Sequence, residues 1–579
     1  MKNNIIKLFV FAAALALTGC VQDLNTEPIS KSSSTVFNEG RMFTKCYATL
    51  GTASQKNAAD DGDVDDIDVG TSAFYRTIWY CNELPADQVW WIWDDDCAKI
   101  QLPSSWKGDD VLLRGIYARL NLTVKYCNHY LAYAGNSTQD EKYRYAEIRF
   151  IRALNYYYLM DFFLYAPRCL EESTESPHYW SRWELYSWLV GELKELTKEL
   201  PAHRISEYRV DQTTAWMLLA RIYLNADVYN RCNTKWTKDQ TWELAYAAAD
   251  TALMGGYSLY TTSITADSGY VYTAYQQLFM GDNNRAEVAN ECPLMIYQDG
   301  IYCQNYGGAI MLTAAPRTDG MVAFGCQKTW TCIRTSPTLV YLFSDLAGKA
   351  HTEAAALKYD EYHMPQVLKD DRAIMCSYTP DAKKEWQLIG EMGMGSESHF
   401  FDCWAIPKFT NVYSTAATPA KSVGRDTDFP ETDIPFFRIA EAYMTKAEAA
   451  YRLGKSDEAL NIINNVIRAR ANAAPLAAID NDKTILDEWG REFFSEGRRR
   501  IDLIRFDRFY GPESDVNGYT WEGRAGQTAS LPFKSGTNEF WNWYPVPTED
   551  KNANPNFKTD VEGAADNPYA GEGGDGYTY

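Results

Sequence analysis

Histidine is scarce in this chain, six among 579 residues, and none stands at the spacing of a paired metal site such as HExxH. There is no GxSxG elbow and no phosphate-cradling P-loop, so hydrolase and nucleotide chemistry lack their usual marks. A glycosidase needs only two carboxylates and is left open by the 77 acidic residues. Thirteen cysteines are about 2% of the chain, well below a disulfide scaffold, and no two form a CxxC pair. Cys81 with Cys97, Cys326 with Cys332, or free buried thiols are all open readings. Positive charge is also short: 56 basic against 77 acidic residues give a net charge of −21. Such a surface repels phosphates and anionic headgroups, which excludes a nucleic-acid partner and favours a neutral or cationic one. Long apolar runs are missing too, since Leu8 to Leu17 stops short of a membrane span.

That short run is informative in itself. Lys2 and Lys7 precede it and Leu17-Thr18-Gly19-Cys20 ends it, the form of a bacterial lipoprotein signal. Residues 1–19 read as a signal peptide, Cys20 as the lipidated residue, and 20–35 as a tether. The mature protein is expected to be anchored to a membrane and not to span it.

Helical periodicity fills two blocks, roughly 110–256 and 436–496. Within the second, Ala440, Met444, Ala447 and Tyr451 share one face, Gly454 breaks the helix, and Ser456 and Asp457 offer cap chemistry for the next. Small residues at the crossing and a Gly turn resemble a tetratricopeptide unit, which must stack on neighbours to bury its apolar face. In the first block, helices are expected over 109–134, 141–163 with Pro167 closing it, 183–200, 211–229 and 241–254. The parts between, roughly 62–101 and 257–435, read as loops with short strands. The fold class is therefore mainly α: a tetratricopeptide-like helical-repeat scaffold with a long loop-rich insertion carrying the ligand site.

Three aromatic stretches stand out in those loops. Trp79 to Asp96 (WYCNELPADQVWWIWDDD) ends in carboxylates, and Trp93, nearest the acids, is the tryptophan expected at the surface. Tyr306 precedes two glycines, and Trp330 lies in QKTWTC. Exposed rings beside carboxylates and amides suit sugar recognition: the C–H face of a pyranose lies on the ring, and polar groups take its hydroxyls. Core packing is the default for any one of them taken alone. The acidic run Asp60 to Asp68 lacks the glycine and closing Glu of an EF-hand and reads as a solvated loop. In Glu492 to Arg505 (EFFSEGRRRIDLIR) the charges are spaced to pair with one another, a structural reading preferred over an anion site.

Taken together, the lipoprotein signal, the two helical blocks, DEWGREFFSEGRRRIDLIRF (487–506) and YPVPTEDKNANPN (544–556) resemble the SusD/RagB family. The resemblance is strongest to its starch-binding members, through SAFYRTIWYCNELPADQVWWIW, YQDG, NYGG and ETDIPFFRIAEAYMTKAEA. It implies one domain over 36–579 and a non-enzymatic outer-membrane lipoprotein facing the cell exterior. That protein would capture α-1,4-glucan and pass it to a SusC-like TonB-dependent transporter. By motif, the resemblance puts sugar stacking on Trp93, Tyr306 and Trp330, and hydroxyl contacts on Arg76 and Asp96. The starch binders carry an amide near the last of these; a carboxylate only accepts hydrogen bonds. A structural calcium ion is implied at Asp282, Glu431 and Asp433. The alternatives are the same role with another glycan, an endo-acting glycosidase, or a peptide-binding tetratricopeptide scaffold.

Overall fold

The computed structural model describes residues 36–54, 62–101, 106–231, 233–238, 240–265, 271–317, 325–343, 370–375, 378–379, 384–385, 404–415, 428–509 and 542–563. The expected signal peptide and the tether with Cys20 lie outside these residues, as do Asp60 and Asp61 of the acidic run.

In chain order the elements that matter are α1 (Glu39–Gly51), α2 (Phe74–Glu83), β1 (Val89–Trp91), α3 (Asp96–Lys99), α4 (Val111–Tyr133) and α5 (Gln139–Phe162). Then come β2 (Tyr165–Pro167), β3 (Tyr179–Ser181), α6 (Arg182–Glu199), α7 (Gln212–Leu224) and α8 (Thr241–Leu253). The insertion holds β4 (Leu294–Ile296), α9 (Ala309–Ala314) and β5 (Ile333–Thr335). The second block holds β6 (Ile434–Phe437), α10 (Ile439–Arg452), α11 (Ser456–Ile462), α12 (Asp482–Phe493) and α13 (Arg499–Arg505). The strands form two-stranded antiparallel ribbons: β1 with β5, β2 with β3, and β4 with β6.

Local chemistry sets the helix starts. Asp110 accepts from the Leu112 and Leu113 amides to open α4. Thr138 with Glu141 and Ser181 with Glu184 form capping boxes on α5 and α6, each satisfying two amide donors that a helix start leaves free. The apolar stripe of α5, with Ile148, Ile151, Leu154, Tyr158 and Phe162, is buried.

Several boundaries differ from the sequence reading. Helix α5 ends at Phe162, where Phe163 turns extended, and Pro167 belongs to β2. The helix expected over 211–229 stops at Leu224; Asn225 leaves helical geometry and a separate turn, Ala226–Tyr229, follows. Lys455, not Ser456, holds the cap position of α11. Helix α2 falls inside a segment read as loop. All ten of its residues are buried, and its polar members, Arg76, Asn82 and Glu83 among them, are buried with the rest, so the short run offers no solvent-facing side and reads as part of the aromatic loop around it.

Helices pack in succession: α4 on α5, α5 on α6, α6 on α7, α7 on α8, α8 on α10, and α10 on α11. The two blocks, far apart in sequence, are thus one stack. Ala245, Ala249 and Ala252 of α8 and Ala440 and Ala447 of α10 are fully buried, and such small side chains let helices approach closely. Arg221 of α7 bonds Glu441 of α10 through two nitrogens at 2.6 and 2.7 Å, and Lys446 reaches Asp250 at 2.6 Å. Among the described residues no helix is long and apolar enough to cross a membrane. The nine cysteines described are free thiols, seven of them buried, so neither of the two disulfides considered forms. Cys81 lies near Arg500 and Tyr544, whereas Cys97 lies near Arg76 and Tyr80.

The charged residues from Glu488 to Arg505 are paired, and most of them are buried; Arg491, Glu496 and Arg498 are partly exposed. Arg438 bonds Glu291 and Glu492 at 3.0 Å and Glu496 at 2.8 Å. Arg470 joins Glu291 to Glu492, and Arg372 and Arg468 each reach Glu488 at 2.8 Å. Arg499 bonds Asp87 and Arg500 bonds Asp161. Arg505 and Trp489 share Glu448. Burial by itself would raise the Glu488 carboxyl, but Arg372, Arg491 and Arg468 outweigh it and hold the group down to about 2. Its folded value lies below its unfolded one. Its contribution is therefore present above about pH 4.5 and is lost as the pH falls towards 2. Thermal melts across this range should show that acid loss in the wild type. Glu488→Gln, which leaves buried guanidinium groups short of a counter-charge, should cost about 3–5 kcal/mol at pH 7 and flatten the acid slope.

Candidate functional site

Strand β1 pairs with β5 in the register Val89 to Thr335, Trp90 to Arg334 and Trp91 to Ile333, and the Ile92 amide donates to the Cys332 carbonyl at 2.9 Å. The same end of this ribbon therefore delivers Trp93 from one strand and Trp330 from the other. Trp79, Trp90 and Trp91 are buried, while Trp93 is partly exposed with its edge on Trp91, centroids 5.8 Å apart. The Trp330 amide donates to the Ala314 carbonyl at 2.8 Å, which fixes its loop on the end of α9. Thr331, next along, has φ of 59°, a turn that re-aims the chain into β5.

Tyr306 is set by glycines. A methyl on Gly70 would lie 2.5 Å from the Tyr306 Cβ and 3.1 Å from Arg76 Nη1. One on Gly307 would lie 2.3 Å from the Gly70 carbonyl oxygen. Two chain segments touch here with no room for a side chain, so the ring is presented from a fixed backbone. Asn305 bonds the Gly51 carbonyl at 3.0 Å, and the Gly307 amide bonds Asn305 at 2.9 Å. The ring centroids of Tyr306 and Trp330 are 6.2 Å apart with the planes at 49°.

Arg76, on α2, ties the parts together. Its Nε donates to the Tyr80 hydroxyl at 2.6 Å and its Nη1 to the Tyr306 carbonyl at 3.1 Å, while the guanidinium lies 5.5 Å from the Trp330 ring centroid. Tyr80 in turn meets Trp91, the support of Trp93, at 5.4 Å. The structure thus brings Arg76, Trp93, Tyr306 and Trp330 into one constellation. Asp96 is half exposed, and its partner among the described residues is Lys99 at 2.7 Å. Its neighbour Asp95 carries the structural duty, capping α3 and accepting from the Trp91 indole at 2.8 Å. Gly70 and Tyr80 escaped sequence reasoning: a lone glycine carries no signal, and Tyr80 reads as one more core aromatic.

The three carboxylates of the expected calcium set diverge. Asp282 accepts from the Ser414 amide and hydroxyl at 2.9 and 2.8 Å. Glu431 takes the hydroxyl of Tyr413, one residue away. Asp433 turns elsewhere, to the Gln298 amide at 2.6 Å and the Tyr208 hydroxyl at 2.8 Å. Both of its oxygens are thus taken by donors from parts of the chain that Asp282 and Glu431 do not touch. Among the described residues no three His, Cys, Asp or Glu gather as a metal cluster. Asp282 and Glu431 are held by the adjacent Ser414 and Tyr413, so these two would be the ones to share a hard cation, with Arg285 at 3.4 Å from Asp282 as the competing charge; Asp433 is bonded elsewhere.

The profile of the SusD family matches residues 305–562. The starch-binding protein SusD of Bacteroides thetaiotaomicron is 34% identical over 96% of this chain and 99% of its own length. Two solved structures share the fold at lower identity. A laminarin-binding SusD-like protein aligns with a TM-score of 0.59 at 16% identity, over 88% of this chain and 96% of its own. A protein crystallised with a xylogluco-oligosaccharide aligns with a TM-score of 0.60 at 15% identity, over 89% and 97%. With a relative this similar along its whole length and a helical stack built to the same plan, the chain belongs to the SusD family.

Proposed function

We propose that this protein is a non-enzymatic, cell-surface glycan receptor that captures starch-like α-1,4-glucan and hands it to a SusC-like TonB-dependent transporter in the outer membrane. Lipid at Cys20 would hold it there. The observation that carries the reading is the grouping of Trp93, Tyr306 and Trp330 around Arg76. Tyr306 and Trp330 are tilted by 49°, so the platform is not flat, and tilted rings suit a chain whose sugars turn from one to the next. The guanidinium supplies donors for hydroxyls. The relative at 34% identity is named for starch binding, which supports the choice of glucan. The relatives named for laminarin and xylogluco-oligosaccharide share only the fold, and they make a different glycan the second reading. The carboxylate at Asp96, paired outward with Lys99, favours that alternative.

Calorimetry with maltoheptaose, a laminari-oligosaccharide and a xylogluco-oligosaccharide separates the two readings: the first predicts binding of maltoheptaose alone. Each ring adds about 0.5–1.5 kcal/mol beyond the area it buries. A single Trp93→Ala, Tyr306→Ala or Trp330→Ala change should therefore weaken binding several-fold, and the triple variant should abolish it. A triple variant that binds like the wild type overturns the site. Copurification of a large outer-membrane barrel with the lipidated protein, lost on Cys20→Ala, checks the proposed address and partner together. Calcium is proposed at Asp282 and Glu431 only. A chelator should then lower the melting temperature of the wild type and leave the Asp282→Asn, Glu431→Gln variant unmoved.

A further inference from the structure

Phe429 is absent from the sequence motifs that mark the three rings, yet the fold sets it beside them. Its ring centroid lies 5.2 Å from that of Tyr306 with the planes at 48°. Tyr306 therefore stands between Trp330, at 6.2 Å, and Phe429. Phe429 is half-buried, whereas Pro430 to Pro435, which lead from it into β6, are buried. The ring thus lies partly open beside Tyr306 and is not sealed in the core. One residue earlier, Asp428 pairs with Lys328 at 3.6 Å, two residues before Trp330. The two side chains are 41% and 40% exposed, so their charges are open to a ligand as well as to each other.

We propose that Phe429 is a fourth stacking ring, and that Lys328 and Asp428 border it as a donor and an acceptor for sugar hydroxyls. The platform then runs Trp330, Tyr306, Phe429 and holds more of a glucan chain than the rings named by motif. This rests on the glucan reading above and adds a specificity to it, a preference for longer chains. The bland alternative is that Phe429 only props Tyr306. The two differ in what chain length does. A contact ring at the end of the platform touches long ligands and not short ones, whereas a prop acts on the central ring that every ligand uses.

Calorimetry of the purified protein with maltotriose and maltoheptaose tests this. In Phe429→Ala, maltoheptaose affinity should fall about threefold to tenfold while maltotriose affinity holds. Phe429→Trp should keep both, and unchanged melting temperatures show that the variants fold. An equal loss for the two sugars, or no loss for either, overturns the proposal while the glucan reading stands. A wild type that binds neither sugar overturns the glucan reading and this inference with it.

Discussion

Glu291, Glu488 and Glu492 face no water, and each is held by two or more arginines drawn from different parts of the chain. A buried carboxylate is costly unless its charge is matched and its oxygens are bonded. Here matching requires Arg372, Arg438, Arg468 and Arg470 to arrive together, so the pairing acts as an address more than as a glue. The same stretch sends Arg499 to Asp87, beside β1, and Arg500 to Asp161 on α5. Glu83, on α2, accepts the Gly497 and Arg498 amides at 2.8 and 3.0 Å. Ser495 and Gly497 take positive φ, at 60° and 77°, to make the turn that allows this. The helix that carries Arg76 is therefore docked by the turn between α12 and α13, and the geometry of the aromatic site depends on charges buried far from its surface.

The helical stack was legible because its members carry apolar residues at helical spacing, and some of them also open on a capping box. Gln139–Phe162, Arg182–Glu199 and Thr241–Leu253 fall within a few residues of expectation. What the periodicity could not convey was adjacency. Nothing in the sequence of Thr241–Leu253 says that its other face meets Ile439–Arg452. Where a short helix is buried on every side with its polar residues paired inside, as at Phe74–Glu83, it is easily read as loop, and a turn such as Asn225 is decided by tertiary packing and not by propensity.

The site was legible to the extent that its chemistry is composed of rare residues. Trp93 stands out beside its acids, and Tyr306 beside its glycines. The carboxylates were harder, because an aspartate reads alike whether it caps a helix, as Asp95 does, pairs with a lysine, as Asp96 does, or accepts from an amide and a tyrosine in a buried niche, as Asp433 does. Which of these holds is set by neighbours that lie tens or hundreds of residues away. Phe429 was invisible for a different reason: its significance lies only in the ring it touches.

The order of the stack has a bearing on how the chain reaches its shape. A polypeptide delivered N-terminus first completes α4 to α8 early, yet the face of α8 that meets α10 has no cover until the chain has run on past Ile439. Contacts this distant in sequence form slowly, and an apolar helix face left open meanwhile invites association. The loop-rich insertion is held at both ends by helices that meet each other. It is thus delivered before it is enclosed, and its ends are drawn together only when the late helix docks. Contacts of this span set a long interval between the first helices and the finished stack, during which an escort for the half-built stack has something to hold.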